Sequence, residues 1–524
     1  MRSRILQRAV KLCAGLTASV MMLTSSALLM TSSAYSRANT ADGNYRSVTF
    51  NSFPAAVNGG EPIRGVDISS IISIEQAGVV FHDDEGRQED IFRVLADHDV
   101  NYIRVRVWNE PNDGNGHSYG GGNNDVNTAC EIGRRAAKYG MKLLVDIQYS
   151  DFWADPAKQT RPKYWAPHDH YTLSGEIYKW TTWVLKAITE AGGDIGMVQV
   201  GNETNCFFCG ETDMYKICEL FASGNKAVRD FDKNILIAHH FANPAKVDHF
   251  YWYAKVMNEC NLDYDVFATS YYPYWHGSTE NLTNVLTTIG NTYGKYVMVA
   301  ETAYPYTSED GDNFGNIISA YSTGVDLPYD ISVAGQTECL TNVFQAVANC
   351  GNKGIGVFYW EPAWLGVSDI SQWEQKDKWD KYGSGWATGY AAEYDKDVTS
   401  SGGSSFDNQA LFDFRGFPLD SLDVFTRIYP KTEKPDNEKL TRYYADLDGD
   451  DAITEADLSI LRSAVMKEYV LDEVQFALGD LNMDKQVNMT DVVLLKKYLL
   501  DPDNSHSERW VSPIGHKNVF DRKR

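Results

Sequence analysis

Two glutamates stand where strand ends would present them. Residues Met197 to Asn205 read MVQVGNETN. Met197, Val198 and Val200 form an apolar, partly β-branched run, Gly201 breaks it, and Asn202 and Glu203 follow at the mouth of a loop. Residues Tyr296 to Pro305, YVMVAETAYP, repeat the arrangement and deliver Glu301. One glutamate after a strand is ordinarily a solvated loop residue. Two of them, flanked by Asn, Thr, Tyr and Pro, suggest a carboxyl pair facing one cleft. Such a pair suits hydrolysis of a glycosidic bond: one carboxylic acid protonates the leaving oxygen, and one carboxylate attacks the sugar or activates water.

The elements around the pair follow a rhythm that starts at Ile63. Strands are expected at 64–69, 101–108, 142–149, 197–200, 234–239, 266–271, 296–301 and 354–360. Between them, helices are expected at 89–98, 126–139, 176–191, 214–231, 248–260, 282–293 and 336–348. Strands alternating with helices are the pattern of an α/β fold, a (β/α)8 TIM barrel occupying 61–430. That fold gathers its polar strand ends on one face. Here the ends carry Asp67, Arg106, Trp108, the 149–153 stretch, Asn202 with Glu203, His239 with His240, the 271–275 stretch, Glu301, and 360–364. Glu203 closes the fourth strand and Glu301 the seventh. No metal-binding spacing includes the two histidines, so a structural or hydrogen-bonding role is expected for them.

A net charge of −23 argues against nucleic acid and against an anionic membrane surface as partners, and leaves a neutral polymer compatible. Aromatic content of 13%, with 31 Tyr and 13 Trp, suits stacking on sugar rings, although most of it must fill core. Arg2, Arg4, Arg8 and Lys11 precede an apolar run from Leu12 to Met30, and Ala34-Tyr35-Ser36 offers a cleavage signal. Residues 1–36 read as a signal peptide and 37–60 as a polar lead-in. No later run reaches the ~18 apolar residues of a membrane span, so an exported mature chain without membrane insertion is expected. Cys13 lies in the leader, and seven cysteines remain, an odd number that leaves at least one unpaired. Cys206-Phe207-Phe208-Cys209 has no second CxxC or CxxH nearby, so a loop disulfide or buried thiols are favoured over a metal half-site.

Nine motifs between Gly65 and about Tyr429 carry a family resemblance. They are GVDISS (65–70), VRVWNEP (105–111), YGGGNND (119–125), YSDFWADPAKQTRPKYW (149–165), VGNETN (200–205), SYYPYWHG (270–277), AETAYPYT (300–307), YWEPAW (359–364) and DNQALFDF (407–414). The stretch resembles glycoside hydrolase family 53, the arabinogalactan endo-β-1,4-galactanases. The resemblance implies a retaining endo-hydrolase with Glu203 as acid/base and Glu301 as nucleophile. Glu203 must then hold its proton near working pH, and Glu301 must stay ionised beside a cation and hydroxyl donors. Arg106 (or Arg104) and Tyr272 are expected to supply that support. Asn202 is expected to hold the sugar 2-hydroxyl, and Trp360 and Trp364, with Trp108 and Trp153 behind them, to stack on sugars. Bacterial members tie the loops after strands seven and eight with calcium. Asp310 and Asn316 match that pattern, but Phe314 stands where the family has His, and the CFFC loop also departs from it.

After a charged linker at 431–442 an acidic repeat begins. Asp446, Asp448, Asp450 and Asp457 occupy positions 1, 3, 5 and 12 of a loop, and Asp480, Asn482, Asp484 and Asp491 repeat the spacing 34 residues later. Alternate oxygens closed by a carboxylate at position 12 make an EF-hand-like calcium loop, with the carbonyls of Ala452 and Gln486 at position 7. Asp451 and Lys485 replace the usual Gly at position 6. Lys tolerates a left-handed backbone less well than Asp, so the second site is expected to be the weaker. The unit at 443–502 resembles a small all-α type I dockerin with two Ca2+ ions, which implies a cohesin module of a scaffoldin as partner. Glu455-Ala456 and Met489-Thr490 match the partner-reading positions of that family, and Arg462 and Lys496-Lys497 its basic ones further along the helix. Residues 503–524 read as a polar tail, with Trp510 and Ile514 packing back. Together these resemblances imply a secreted, cellulosome-borne enzyme acting on β-1,4-galactan or type I arabinogalactan, the side chains of pectin. The alternatives are hydrolysis of another β-linked plant polysaccharide, or a non-catalytic carbohydrate-binding scaffold component.

Overall fold

Eight parallel strands, buried along nearly their whole length, close on themselves. They are β1 (Ile63–Asp67), β2 (Tyr102–Val107), β3 (Lys142–Ile147), β4 (Ile195–Val200), β5 (Leu236–Ala242), β6 (Val266–Ser270), β7 (Tyr296–Thr302) and β8 (Gly354–Trp360), and β1 pairs with β8 from Ile63↔Gly356 to Asp67↔Trp360. The computed structural model describes residues 48, 57–428 (without 206, 313, 368, 369 and 395–402), 439–500 (without 450, 451, 468, 472, 483 and 484) and 517–521. The leader at 1–36, Cys206, Asp450, Asp451, Asp484, Trp510 and Ile514 lie outside the described residues.

Both faces of such a sheet are covered, which is why its strands read as apolar runs rather than as alternation. Inside the barrel, Ile63, Tyr102, Leu144, Met197, Ala238, Met298 and Phe358 form a packed plug. Outside, the helices α1 (Ile71–Ala77), α2 (Ile91–Asp97), α3 (Val126–Lys138), α4 (His170–Glu190), α5 (Met214–Phe231), α6 (Val247–Glu259), α7 (Thr279–Tyr293) and α8 (Val333–Ala348) follow in turn. Side-chain caps set several starts. Asp125, Asp169, Asp213, Ser278 and Ser332 each accept a first-turn backbone N–H. The Asp169 cap starts α4 six residues before the expected 176.

Helices absent from the sequence expectation include the short α1 and α9 (Gln372–Tyr382), a polar segment opened by a Ser371–Glu374 capping box. Strand β5 runs on to Ala242, so His239 and His240 lie within it and not at its end. A short α10 (Val424–Arg427) ends the barrel. Among the described residues no helix is long and apolar enough to cross a membrane. No disulfide forms among the six described cysteines. Burial pushes the Cys209 thiol up to about 12, so it is an inert core group.

The C-terminal module comprises β9 (Lys439–Tyr443), α11 (Glu455–Val465), α12 (Glu473–Gly479), α13 (Met489–Leu500) and β10 (Lys517–Asp521). The end of the expected linker and part of the expected tail are therefore strands, paired antiparallel from Lys517↔Tyr443 to Asp521↔Lys439. The repeat is structural. Asp457 accepts N–H groups from Leu447, Asp448 and Thr454, and Asp491 does the same from Leu481, Asn482 and Asn488. Leu447, Leu458 and Leu461 meet Leu481, Val492 and Leu495, their counterparts one repeat on, in a single core. Lys485 adopts φ 65°, the left-handed conformation a glycine would take without strain.

Gly65 faces the ring of Phe358 in the barrel plug, where an added Cβ would lie 2.2 Å from the ring. Gly65→Ala is expected to cost about 1–3 kcal/mol by overpacking. Gly175→Ala, in α4 with nothing within 4 Å, is expected to be neutral or stabilising. Thermal denaturation of the two variants checks the contrast.

Candidate active site

Five strands send polar side chains to one point at the C-terminal end of the barrel. At its centre is Arg104, a fully buried side chain on β2, two residues from Tyr102 of the plug and so on the same inward face. Its Nη1 lies 2.8 Å from Asp67 Oδ2 and 2.8 Å from Glu301 Oε1. Its Nη2 lies 3.0 Å from Asp146 Oδ2 and donates to Asn202 Oδ1 at 2.8 Å. Its Nε donates to Gln199 Oε1 at 3.3 Å. The guanidinium fork thus donates to Asp67, Asp146, Asn202 and Gln199 and pairs in charge with Glu301.

Glu301 ends β7 beside that cation. Its Oε2 accepts from Tyr272 Oη at 3.1 Å and from Ser270 Oγ at 3.3 Å. Burial, and then the Glu301 charge, raise the Tyr272 phenol well above 10, so it stays a donor. The Tyr272 backbone N–H is held by His276 Nδ1 at 3.0 Å.

Glu203 follows β4 with φ 45°, a left-handed backbone that turns its side chain toward β6 and β7. Its Oε1 accepts from Ser270 Oγ at 2.5 Å. Ser270 thus touches both glutamates, and their nearest oxygens are no further apart than the sum of 2.5 and 3.3 Å. Burial raises the Glu203 carboxyl well above its ordinary range, and repulsion from Glu301 adds to it. Arg104 is an ion-pair partner for Glu301, and for Glu203 it is only the weakest of the influences, opposing the rise. The two carboxyls therefore sit in different electrostatic surroundings, and it is Glu203 whose proton is favoured.

His240 completes the support. Its Nδ1 lies 2.8 Å from Asn202 Oδ1 and its Nε2 2.9 Å from Ser270 Oγ, and burial holds its pKa well below 6.5. The imidazole is a neutral hydrogen-bonding strut, as expected. Among the supporting residues, the sequence alone does not single out Ser270, Asp146 or Gln199. Ser270 was in view only as the first letter of SYYPYWHG, because a lone serine at a strand end carries no signal of its own.

The structure corrects three expectations. Arg106 does not support Glu301: it pairs with Asp67 Oδ1 at 3.1 Å and with Glu361 Oε1 at 2.5 Å, and Arg104 takes the role instead. Trp108 and Trp364 are no open platforms. Both are fully buried, with their indole N–H groups bonded to Gln148 and to the Ser384 carbonyl. Trp360 and Trp153, each still slightly exposed, belong to a wall completed by half-buried Trp386, which stacks on Trp153 at 4.4 Å. Trp386 escaped notice because it sits in an irregular stretch, SGWATG, with no periodic pattern. Asn202 is locked by Arg104 and His240 on its carbonyl, and its amide donates to Ala154 O at 2.8 Å.

A second acidic cluster joins the loops after β7 and β8. Carboxylate oxygens of Asp310, Asp312 and Asp407 lie within 4.8 Å of one another. Burial pushes Asp312 up to about 7 and Asp407 well above its usual range, and their mutual charge adds to the second. Asp407 Oδ1 and Asn316 Oδ1 are buried with no hydrogen-bond partner. This donor set fits a hard cation such as Ca2+. Phe314 turns away, its ring edge-on to Trp379 at 6.2 Å, so the missing His leaves the carboxylates in place. In the C-terminal module, Asp446, Asp448 and Asp457 form a similar group.

Residues 63–425 match the sequence profile of glycosyl hydrolase family 53. The chain belongs to that family. Residues 478–510, covering the second acidic loop and its helix, match the dockerin type I domain. The chain is 54% identical over 366 residues to the endo-β-1,4-galactanase of Bacillus subtilis (strain 168), covering 69% of this chain and 85% of that protein. It is 33% identical over 330 residues to the arabinogalactan endo-β-1,4-galactanase of Cellvibrio japonicus, covering 60% and 84%. Among solved structures, the Ignisphaera aggregans GH53 catalytic domain superposes with a TM-score of 0.63 at 34% identity, covering 73% of this chain and 100% of that one.

Removing Arg104 leaves Asp67, Asp146 and Glu301 buried without their shared cation. Arg104→Leu is expected to destabilise the barrel by about 3–5 kcal/mol. Glu301→Gln, which removes one charge and keeps the shape, is expected to cost less. Urea denaturation of both variants measures the difference.

Proposed function

We propose that this protein is a secreted, retaining endo-β-1,4-galactanase that cleaves the (arabino)galactan side chains of pectin and docks on a scaffold through its C-terminal module. The observation that carries the reading is the single Ser270 hydroxyl shared by Glu203 and Glu301. It keeps the carboxyls closer than the roughly 6.5 Å at which inverting spacings begin, where a water would have to fit between sugar and base. Membership of family 53 and the galactanase names of the relatives support the substrate.

In the first step Glu301 attacks the anomeric carbon while Glu203 gives its proton to the departing glycosidic oxygen. Arg104 and Tyr272 hold Glu301 aimed, and these preset contacts need no reorganisation as charge shifts. In the second step Glu203, now a carboxylate, takes a proton from water, and the resulting hydroxide oxygen displaces Glu301 from the sugar. Asn202 keeps one amide N–H for a sugar hydroxyl. Trp360, Trp153 and Trp386 offer ring faces to the chain of galactose units.

Calcium serves structure in this reading. Asp310, Asp312, Asp407 and Asn316 would hold one ion that clamps the loops after β7 and β8. Asp446, Asp448, Asp450 and Asp457, with the Ala452 carbonyl, would hold another, and Asp480, Asn482, Asp484 and Asp491, with the Gln486 carbonyl, a third. The two dockerin ions order the module for a cohesin of a scaffoldin, which places the enzyme on a cellulosome outside the cell.

Linear β-1,4-galactan, arabinan and xylan, each incubated with the enzyme, test the substrate. Galacto-oligosaccharides with initial β-anomeric ends from galactan alone are expected, and α-ends would refute the retaining step. Glu203→Gln is expected to lower kcat on galactan by about 10²–10⁴-fold, and less on aryl galactosides whose leaving groups need no proton. Wild-type kcat/KM is expected to fall as pH rises through the raised pKa of Glu203, because the general acid acts only while protonated. Chelation is expected to abolish cohesin binding in a pull-down and to lower the melting temperature of the barrel.

A further inference from the structure

We infer that Glu361 is a positioning residue: through Arg106 it holds the tryptophan wall of the cleft, and so governs how tightly the polysaccharide is gripped more than how fast its bond breaks. The inference rests on the cleft being the substrate site proposed above.

Glu361 directly follows Trp360 at the end of β8. Its backbone takes φ 50°, a conformation costly for a residue with a side chain, and its N–H bonds to Asp67 O at 2.9 Å. That turn drives the carboxylate inward, where it is fully buried. Oε2 accepts from Ser70 Oγ at 2.5 Å, and Oε1 accepts from Arg106 Nη2 at 2.5 Å. Arg106 is also anchored on Asp67 Oδ1 at 3.1 Å and on Gly121 O at 3.3 Å.

The guanidinium so fixed lies against two tryptophans. Its carbon is 4.8 Å from the Trp153 ring centre and 5.6 Å from that of Trp360. At those distances a desolvated cation attracts aromatic faces. Trp153 passes the constraint on to Trp386, by the 4.4 Å stack and by its Nε1–H bond to Trp386 O at 2.9 Å. Trp360 in turn meets Phe406 edge-on at 4.6 Å. One carboxylate therefore fixes the cation under two rings and, by adjacency in the chain, the backbone of one of them.

This circuit is separate from the catalytic one. Asp67 serves both, with Oδ2 for Arg104 and Oδ1 for Arg106, but Arg106 reaches neither glutamate of the reacting pair. A buried ion pair is a poor device for stability alone, since well-packed apolar side chains of equal volume do as well or better. A strained backbone, a buried carboxylate and a buried guanidinium together make sense as a geometric constraint on the rings above them.

The test is Glu361→Gln, which keeps the shape and removes the charge. Ser70→Ala is the milder companion, removing one hydrogen bond and leaving the ion pair intact. On β-1,4-galactan, Glu361→Gln is expected to raise KM about tenfold, the scale of one charge-assisted hydrogen bond, with kcat within about threefold of wild type. Its tryptophan emission maximum is expected to shift as the wall loosens. Ser70→Ala is expected to move KM in the same direction by about threefold. A fall in kcat with KM unchanged would overturn the inference, as would unchanged KM in either folded variant. If Glu361→Gln fails to fold, Ser70→Ala decides alone. If wild type releases nothing from galactan, the proposed substrate fails instead, and the fluorescence comparison still judges the wall: an unchanged emission maximum in the folded variants overturns the positioning role.

Discussion

One buried guanidinium organises the reactive end of this barrel. Arg104 has no solvent to fall back on, and its fork is met by Asp67, Asp146 and Glu301 together with the amide oxygens of Gln199 and Asn202. The cluster carries more negative charge than positive, and the strain is visible where burial pushes Asp146 up to about 6. Such a group is held together by the cost of taking it apart, because any one charge left behind would stand unpaired in a dry interior. A closed barrel is suited to this. β1, β2, β3, β4 and β7 each aim a side chain at the same volume, and no strand can slip by one residue without turning its polar group outward.

The two catalytic candidates differ less in chemistry than in neighbours. Both are glutamates at strand ends, and both touch Ser270. Glu301 has the cation and a phenol, whereas Glu203 has a hydroxyl, a buried wall and the charge of Glu301 nearby. An ion pair to Arg104 on one side, and burial on the other, thus set the two glutamates apart. The same logic repeats one layer out, where Asp67 divides its two oxygens between Arg104 and Arg106.

Much of this was legible in the chain. The strand-tip glutamates, the barrel rhythm and the acidic repeat are local patterns, and periodicity and spacing report local patterns well. Pairings between distant strands are not local. Arg104 and Arg106 sit on the same face of β2, and nothing in the sequence around them says which reaches Glu301 and which Glu361. Burial was equally hidden for the tryptophans. Trp108, Trp360 and Trp364 look alike beside strand ends, yet Trp360 keeps a little exposure while the others are fully buried. Asp312 and Asp407 lie far apart in sequence and became a cluster only when the loops after β7 and β8 met.

Ser270 has one hydrogen and three polar partners within reach: Glu203, Glu301 and His240 Nε2. Burial keeps His240 neutral, and in the tautomer with its hydrogen on Nδ1, toward Asn202, Nε2 is an acceptor. A hydroxyl can aim its hydrogen at one neighbour at a time. While Glu203 keeps its proton, it can donate to Ser270 Oγ and leave the serine hydrogen to point at Glu301 or the imidazole. Once Glu203 has given the proton away, the same hydrogen can swing round to solvate the new carboxylate. In the proposed reaction the rotor angle of this single serine would follow the stage reached, turning there and back with each turnover.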